Sequence, residues 1–361
     1  MKPYDNTDLP VNFKFDIEMM KLLVKARELY TKYNTIITYQ EIDSKLILKP
    51  FILQESYKSC ELAGNPVSHS SLYYIKCQPD NIYAKEILNY NSILDNIGNY
   101  LSSSFKLSVW YLNNIHKDLF KHLPIHPSKL GKYRDEVTWI GPRGSSIYDA
   151  EYIPSHPLDI PVLMSNYIKH FNKSYSLDKL IEMAISHAQF ENIHPYKDAN
   201  GRIGRILVPI QAFIETNTHV SVFVSEVIKD NEYMYYRKLQ DTRNDKWEGY
   251  IKFFLEIVIE QLQRNIKRID EMLLVYKKDL PKVIALLKEK NGKRVYEYLF
   301  SNITSTIKDA SDDLHIDYQT IRNYFTRLFD TGLIAKHKIN KGEYVYTYVK
   351  MYNIHVPVNW I

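Results

Sequence analysis

A segment of thirteen residues, IHPYKDANGRIGR at positions 193–205, constrains the fold more than any other part of the sequence. The residues before it, 177–191, have the apolar spacing of a helix, and this spacing resumes from Ile206. A second helix is therefore predicted to begin near Gly201 or Arg202. The exposed backbone N–H groups and the dipole of a helix start attract anions. The segment thus predicts a helix–loop–helix unit with an anion site at its centre.

The side chains of this loop suit the transfer of a phosphate-linked group. Gly201 lets the backbone approach a phosphate closely. Arg202 and Arg205 are three residues apart, so they lie on one side of the helix and can reach the same anion. Asp198 can hold a divalent cation that bridges phosphates, and His194 can act as a base near pH 7. Together these residue types predict phosphoryl or nucleotidyl transfer.

Each of these features also has an ordinary structural interpretation. A histidine before a proline is more often structural than catalytic, an Asn-Gly pair is usually a turn, and arginines at a helix start usually face solvent. Their combination within one short loop, in this order, favours the functional interpretation over a series of coincidences.

The same loop resembles the signature of the Fic family, H-P-F-x-[D/E]-G-N-G-R-x-x-R. The match runs from His194 to Arg205 and departs twice: Tyr196 stands for phenylalanine, and Ala199 stands for the first glycine. The resemblance covers about residues 51–275. Outside the signature it is carried by Gly131-Lys132-Tyr133-Arg134 with Val137 and Ile140, by Tyr152-Ile153-Pro154 and Val162-Leu163-Met164, by Ile228, Asn231, Tyr235, Tyr236 and Leu239, and by Trp247, Ile251, Phe253, Phe254 and Leu255.

The resemblance implies a mainly α fold, with a Fic-type helical core and a β-hairpin flap, and transfer of AMP from ATP to a Tyr, Thr or Ser hydroxyl of target proteins or of the protein itself. His194 would deprotonate that hydroxyl, and Asp198 would hold Mg²⁺ on the α- and β-phosphates. The flap, about Trp139–Tyr152, would hold the target peptide by strand addition. The implied ATP ligands are Ala199, Asn200, Gly201, Arg202, Ile203 and Gly204 in an anion hole, Arg202 and Arg205 at the β- and γ-phosphates, and Asn231 and Tyr235 near the adenosine.

Three alternatives for the activity stay open on the sequence. Relatives that transfer only phosphate carry lysine at the position of Gly201, so the resemblance favours AMP over phosphate. It does not distinguish AMP from UMP. The third alternative is a DNA-binding transcription regulator whose core senses a nucleotide without turning it over. An intact His194 favours the enzyme, because a sensor needs no base beside the phosphates.

A segment that precedes the loop resembles the family's inhibitory helix, [S/T]-x-x-x-E-[G/N], with Ser59 and Gly64 in place. Ala63 occupies the position of the glutamate, which in relatives pairs with the second arginine of the signature and blocks the γ-phosphate. Glu61 is two residues earlier and is expected on another side of the helix. The resemblance therefore implies that Arg205 is free and the enzyme de-inhibited, whether Ala63 is natural or was introduced. The alternative is an ordinary helix end with Gly64 as its cap.

The sequence divides into three predicted regions. Residues 1–50 form an N-terminal helical extension, residues 51–278 form the catalytic domain with the inhibitory-type helix at 56–65, and residues 281–361 form a winged-helix domain. A long helix is expected to end at Asp279-Leu280-Pro281, because the residue before a proline disfavours helical backbone. The last domain boundary is placed there.

The outline of residues 281–361 is helix, turn, helix and hairpin. The second of these helices has an apolar face from Ile321 onward, and Gly332 follows as its cap. The region carries 12 Lys and Arg against 8 Asp and Glu, a net charge of 12 − 8 = +4. Exposed polar residues are expected at Thr320, Arg322, Asn323 and Arg327 of the helix and at Lys336, Lys338 and Lys341 of the hairpin. They suit a DNA major groove or a protein partner, and both stay open.

The composition points to a cytoplasmic protein. Two cysteines, Cys60 and Cys77, make no disulfide framework and favour a reducing compartment. The first residues lack a signal-peptide pattern, and no apolar run approaches the roughly 18 residues of a membrane span, so no membrane partner is expected. A formal net charge of +5 is too small to indicate nucleic acid or a membrane surface by itself. A homodimer is a further expectation, since family members often self-associate.

Overall fold

The computed structural model of the protein describes residues 3–5, 9–78, 80–102, 104–141, 146–173, 177–216, 222–287, 291–340 and 343–356. These residues are mainly helical, which confirms the predicted fold class. Across them, no helix combines the length and the apolar character that crossing a membrane requires. Contacts divide the chain into two compact units.

The elements follow one another along the chain with these bounds. The first helices are α1 (Ile17–Thr38), α2 (Ser44–Leu62), α3 (Ile82–Asp95), α4 (Ile97–Tyr100), α5 (Val109–Leu119), α6 (Ile160–Phe171), α7 (Lys179–Ile193), α8 (Asn200–Thr216), α9 (Ser225–Asp230), α10 (Glu232–Thr242) and α11 (Trp247–Leu287). They are followed by α12 (Gly292–Asn302), β1 (Thr304–Ser305), α13 (Ile307–Leu314), α14 (Tyr318–Asp330), β2 (Ile334–Asn340), β3 (Glu343–Tyr348) and α15 (Val349–His355).

The first unit comprises Met1–Asn34, Lys58–Asn65 and Asn89–Leu262, with α7 at its core. Every residue of α7 from Leu180 to Ile193 is buried, and the helix packs on α6, α8 and α10. Its buried polar side chains are Glu182, Ser186, His187, Gln189, Glu191 and Asn192. Buried polar groups need hydrogen-bond partners, and several of these partners belong to the site described below.

The predicted flap is defined at its two stems, residues 134–141 and 146–155. Ile140 and Tyr152 form an antiparallel bridge, in which the Ile140 N–H donates to the Tyr152 carbonyl at 2.8 Å. Residues 142–145 of the predicted flap lie outside the described residues. The bridge is the part of the expected β-hairpin that the structure shows.

The second unit comprises Thr35–Tyr57, Pro66–Leu88 and Gln263–Ile361. Its sheet is antiparallel with the order β1–β3–β2, so Thr347 of β3 lies between Thr304 and Ala335. Helix α14 buries Ile321, Tyr324, Phe325 and Leu328, as its apolar spacing predicts. Gly332 follows with a left-handed φ of +71°. α13, α14, β2 and β3 follow the predicted order of helix, turn, helix and hairpin, whereas α12, β1 and α15 were not predicted. The winged-helix assignment stays an interpretation.

The predicted helix end at residues 279–281 was wrong, because α11 continues through Pro281 to Leu287. A proline removes one helical hydrogen bond, but the buried carboxylate of Asp279 holds this turn. It accepts hydrogen bonds from the Tyr348 hydroxyl at 2.9 Å and from Lys350 Nζ at 2.7 Å. Separately, the boundary between the two compact units falls inside α11, after Leu262, so the predicted domain limits do not coincide with the units.

Arg327 also differs from its expected exposed position. Its guanidinium donates to the carbonyl of Leu287 at 3.3 Å and to the carbonyl of Leu286. These carbonyls belong to the last turn of α11, which lacks helical N–H partners for them. Arg327 therefore caps a helix end, whereas Arg322 and Asn323 are exposed as predicted.

Candidate active site

The connection between α7 and α8 has the predicted helix–loop–helix form. His194 follows α7 with a left-handed φ of 53°, and its N–H donates to the Phe190 carbonyl at 3.0 Å. Helix α8 begins at Asn200, and Ala199 before it also has a left-handed φ of 65°. Left-handed backbone disfavours side chains other than glycine. The glycine of the signature therefore has a conformational reason, and Ala199 adopts this backbone with strain.

The amide of Asn200 is used inside the loop. Its Oδ1 accepts the Tyr196 N–H at 2.8 Å, and its Nδ2 donates to the Tyr196 carbonyl at 2.7 Å. The Tyr196 ring is buried and stacks on His116 with centroids 4.4 Å apart. The Asn200 side chain therefore maintains the shape of the loop. Its part in an anion hole stays a prediction, and the backbone N–H groups at the start of α8 are further candidate donors for an anion.

A cavity of about 930 Å³ opens at the start of α8, a size typical of ligand sites. The predicted site residues that line it are Ala63, His194, Asp198, Ala199, Asn200, Gly201, Arg202, Arg205 and Tyr235. Among the described residues, five predicted ones lie outside this lining: Ser59, Gly64, Ile203, Gly204 and Asn231. Ile203 is buried in the core, and Asn231 donates its amide to the Val227 carbonyl at 3.0 Å.

His194 is half-buried in the cavity wall. Its pKa is lowered to about 4, first by burial and then by the positive charges of Arg134 and Arg243. The negative charge of Asp198 acts in the opposite direction. At neutral pH the imidazole is therefore neutral, which is the form that accepts a proton.

Asp198 stands in the same cavity with 68% of its side chain exposed. Its Oδ1 accepts the Ala199 N–H at 2.5 Å and Arg202 Nη2 at 3.2 Å. Mg²⁺ is commonly bound by one or two carboxylates, with phosphates and water completing its shell. The described residues hold no cluster of three or more His, Cys, Asp or Glu side chains for a metal. Asp198 therefore offers one exposed carboxylate as a cation ligand.

Arg205 is buried and held, contrary to the expectation that it is free. Its Nε donates to Ser59 Oγ at 2.8 Å, and its Nη2 donates to the Ser59 carbonyl at 2.9 Å. Ser59 belongs to α2, which ends before Gly64 with its left-handed φ of +88°. A buried guanidinium requires acceptors. Ala63 offers no carboxylate, and the oxygens of Ser59 accept two of the hydrogen bonds that Arg205 donates.

Glu191 is a cavity residue that the sequence reasoning missed. It is buried, and burial raises its pKa to about 7 although Arg205 and Arg243 lower it. Its carboxyl lies against Gly204, where a Cβ atom would be only 2.2 Å from Oε1. Glu191 precedes His194 by three residues on a helix, so helical spacing could have placed both on one side.

Three further side chains were also missed in their roles. Arg134 and Tyr152, one on each flap stem, donate hydrogen bonds to backbone carbonyls at the end of α7. Arg243 lies over the Tyr152 ring, 3.1 Å from its centroid, and donates to Asn192 Oδ1 at 3.0 Å. The sequence analysis had placed Arg134 before the flap and Tyr152 at its end, without a role for either side chain.

Comparison with known proteins agrees with the resemblance of the loop to the Fic signature. Residues 106–212 match the model of the Fic/DOC family. The relative named protein adenylyltransferase Fic from Drosophila mojavensis is 22% identical over 294 residues, which are 78% of this chain and 54% of the relative. The relative of the same name from Culex quinquefasciatus is 24% identical over 227 residues, 60% of this chain and 41% of the relative. The chain thus spans about half the length of these curated relatives.

Solved structures share the fold. A crystal structure of a Fic family protein from Desulfovibrio desulfuricans G20 aligns with a TM-score of 0.62 at 15% identity, over 96% of this chain and 98% of that one. A structure of Fic-1 from C. elegans aligns with a TM-score of 0.52 at 16% identity, over 70% of this chain and 73% of that one. At these identities the likeness concerns architecture, and it confirms the helical surroundings of the loop.

Proposed function

Because residues 106–212 form a Fic domain, we propose that the protein is a protein adenylyltransferase, which transfers AMP from ATP to a Tyr, Thr or Ser hydroxyl of a target protein or of itself. The observation that carries this proposal is the cavity in which a neutral His194 meets Asp198, Arg202 and the start of α8. A base, a cation ligand, guanidinium groups and a backbone anion site are the parts that nucleotidyl transfer requires.

The chemical step is an in-line displacement at the α-phosphorus. The target hydroxyl gives its proton to the imidazole of His194 while its oxygen bonds to the α-phosphorus. The bond from that phosphorus to the oxygen bridging the β-phosphate breaks, and pyrophosphate leaves with the electron pair. The products are an AMP ester of the target and a protonated His194, which returns its proton to solvent.

The phosphates are held at the start of α8. Arg205 keeps Nε and Nη2 on Ser59, while its Nη1 lies beside Gly201, where a Cβ atom would be 3.0 Å away. This guanidinium nitrogen and Arg202 can therefore bind the β- and γ-phosphates from one side of the helix. A side chain at 201 would crowd Arg205. Glycine at this position therefore leaves Arg205 Nη1 accessible, as a site that binds the whole triphosphate requires.

The remaining ligands follow the same cavity. Asp198 would hold Mg²⁺, which when bound offsets the charge of the α- and β-phosphates. Tyr235 lines the cavity and is proposed to contact the adenosine, while its hydroxyl pairs with His187 Nε2 at 2.9 Å. Asn231 lies outside the lining, so its contact with the adenosine is the weaker part of the proposal.

De-inhibition is proposed from Ala63, which lines the cavity at the position where the resemblance to the family's inhibitory helix implies a glutamate. The neighbouring acidic residue does not replace it, because Glu61 pairs with Lys58 at 2.8 Å. Arg205 is held by the neutral oxygens of Ser59 and keeps its positive charge for a phosphate.

Target proteins are proposed to dock on the flap, about Trp139–Tyr152. Within its described part, Trp139, Ile140 and Tyr148 are large apolar side chains exposed at the surface. An extended peptide could pair with the Ile140 stem through backbone hydrogen bonds, which give little side-chain specificity. This mode of binding suits an enzyme that recognises its target protein through contacts besides those of the modified residue.

A second candidate function is DNA binding through residues 281–361. Arg322 and Asn323 are exposed on α14, the helix that would enter a major groove. Against this, Arg327 is engaged by helix carbonyls, and Lys336 Nζ lies over the Tyr344 ring at 3.9 Å. Both charges are therefore partly used within the unit, and a protein partner on the same face is the alternative.

The test is incubation of the purified protein with Mg²⁺ and ATP labelled on the α-phosphate, beside a His194→Ala variant. We expect label on the wild-type chain and at least about 100-fold less on the variant, the usual range for loss of a general base. ATP binding by the variant, measured by calorimetry, should persist. Label from the γ-phosphate instead would show phosphate transfer. Label from UTP alone would show UMP transfer, and binding without any label would favour the nucleotide-sensing regulator.

A further inference from the structure

The two flap stems meet at the end of α7. On the first stem, the guanidinium of Arg134 donates from Nε to the His194 carbonyl at 2.9 Å and from Nη2 to the Ile193 carbonyl at 3.5 Å. The backbone N–H of Arg134 donates to the Pro195 carbonyl at 2.9 Å. Arg134 thus contacts three consecutive carbonyls around the catalytic base.

Arg134 also joins the stems to each other. Its Nη1 donates to the Glu136 carbonyl at 3.0 Å on the first stem, and its Nη2 donates to the Ser155 carbonyl on the second. The second stem makes its own contact with α7, because the Tyr152 hydroxyl donates to the Asn192 carbonyl. The carbonyls of residues 192–195 are therefore all hydrogen-bonded to the flap stems.

These bonds address a specific weakness of the site. The last carbonyls of a helix lack N–H partners within it, and His194 has a left-handed φ of 53° that a β-carbon disfavours. Such a conformation persists at a functional site only when its surroundings determine it. Arg134 and Tyr152, which are 5% and 4% exposed, supply surroundings of this kind.

We propose that Arg134 and Tyr152 are positioning residues, which fix the backbone of His194 and tie it to both stems of the target-binding flap. This inference rests on the proposed AMP transfer for its kinetic readout. Base and flap are then one assembly, so the hydroxyl of a peptide on the flap arrives in a fixed place relative to His194. A shift of the hydroxyl relative to His194 by about 1 Å typically lowers the reaction rate about 100-fold.

Charge and shape at position 134 can be separated. Lysine keeps the positive charge but cannot donate in the planar fork that reaches several carbonyls. Methionine removes both. Burial and the charges of Arg134 and Arg243 lower the pKa of His194, whereas a hydrogen bond with the Glu191 backbone and the charge of Asp198 raise it. Removal of the Arg134 charge should therefore raise the pKa of His194, whereas Arg134→Lys should leave it near the wild-type value.

The experiment compares Arg134→Lys, Arg134→Met and Tyr152→Phe with wild type. Lys132→Ala, an exposed charge two residues away, is the matched control. The rate of self-labelling from α-labelled ATP is measured against ATP concentration, and the imidazole titration of His194 is followed by NMR with His194→Ala for assignment. Thermal unfolding identifies the variants that fold.

We expect a fall in kcat of about 100-fold for both Arg134 variants, a smaller fall for Tyr152→Phe, and an unchanged KM for ATP. The NMR titration should move to higher pH only in Arg134→Met. Wild-type kcat in folded Arg134→Lys and Tyr152→Phe, with an unshifted titration in Arg134→Met, would overturn the inference. If wild type itself takes no label, the proposed function fails. NMR then still decides the positioning role, which is supported if the His194 titration moves in Arg134→Met and if the backbone amide of His194 in Arg134→Lys no longer has its wild-type chemical shift.

Discussion

Helices α7 and α14 start alike and are stabilised differently. Each is capped by an aspartate: Asp178 accepts the Leu180 N–H, and Asp317 accepts the N–H groups of Gln319 and Thr320. Helix α14 buries one apolar face and exposes polar residues such as Arg322 and Asn323. Helix α7 is buried from Leu180 to Ile193, polar side chains included. Helix α14 is held mainly by apolar burial, whereas α7 also depends on hydrogen bonds from distant parts of the chain.

The difference between the two helices indicates which residues contribute mainly to stability and which contribute to activity. Apolar burial is non-directional, and it tolerates changes at the exposed positions of α14. The polar side chains of α7 are directional and require specific partners, such as the Tyr4 hydroxyl on Gln189 at 2.7 Å and Tyr235 on His187 at 2.9 Å. Changes near α7 should therefore affect activity and pH dependence more than changes in α14 do.

The largest expected effect is on the stability of α14. Phe325 is fully buried and meets Tyr346 edge to face at 5.0 Å, so Phe325→Ala should destabilise the protein by about 3–5 kcal/mol. Exposed Thr326→Ala is the matched control and should change stability by about 0.5 kcal/mol or less. Urea denaturation measures both. A loss of self-labelling in Phe325→Ala that remains folded would contradict the separation of roles.

The next effect is on activity near Arg205. In Ala63→Glu the new carboxylate should pair with Arg205 and compete with the γ-phosphate, which lowers self-labelling about 10- to 100-fold, the strength of one hydrogen bond to a charged group. Ala63→Gln matches the size without the charge and should lower it less. Rates at several ATP concentrations provide the measurement. Equal activity of wild type and Ala63→Glu would sink the proposed de-inhibition.

Glu191 tests whether the buried polar groups of α7 titrate. Its folded pKa of about 7 lies above the ordinary glutamate value of 4.5, so its contribution to stability is fully present below pH 4.5 and is lost as pH rises through 7. Wild type should therefore lose about 2 kcal/mol more stability than Glu191→Gln between about pH 5 and 8. Denaturation at each pH measures the difference, and exposed Glu151→Gln is the control. Parallel curves for wild type and Glu191→Gln would refute it.

The smallest effect concerns backbone strain. Ala199 has a φ of 65°, so Ala199→Gly should stabilise the protein by about 0.5–1 kcal/mol, because glycine adopts this backbone without a steric penalty. Ala212→Gly, inside α8, should destabilise it by a similar amount. Opposite shifts in the melting temperature are expected. Destabilisation by both substitutions would show that Ala199 is not strained.

Local features of the chain were largely predictable. The apolar spacing of α14, its glycine cap and the loop between α7 and α8 all depend on residues close in sequence, and the structure confirms them. The continuation of α11 through Pro281 was not predictable, because it depends on Asp279 meeting Tyr348 and Lys350, about 70 residues later. A local rule for proline cannot include that contact.

The site shows the same limit. His194, Asp198 and Arg202 were identified from their spacing, and the structure brings them to one cavity. The bond from Arg205 to Ser59 joins residues 146 positions apart, and no spacing rule indicates it. The internal use of Asn200 was missed for another reason: a short polar side chain can serve a ligand or its own loop, and only the folded backbone decides.

The first compact unit is assembled from three separated stretches of chain, which has a practical consequence for shortened forms of the protein. The segment that matches the family, residues 106–212, omits Ser59, Tyr235 and Arg243. It also omits Tyr4, which hydrogen-bonds Gln189 within α7, and Arg27, which hydrogen-bonds the N-cap Asp178. Excision of that segment would expose the polar interior of α7 to water and remove the partners that order it. A minimal working fragment must therefore retain both ends of the unit, so truncation libraries should be designed around contacts and not around the motif.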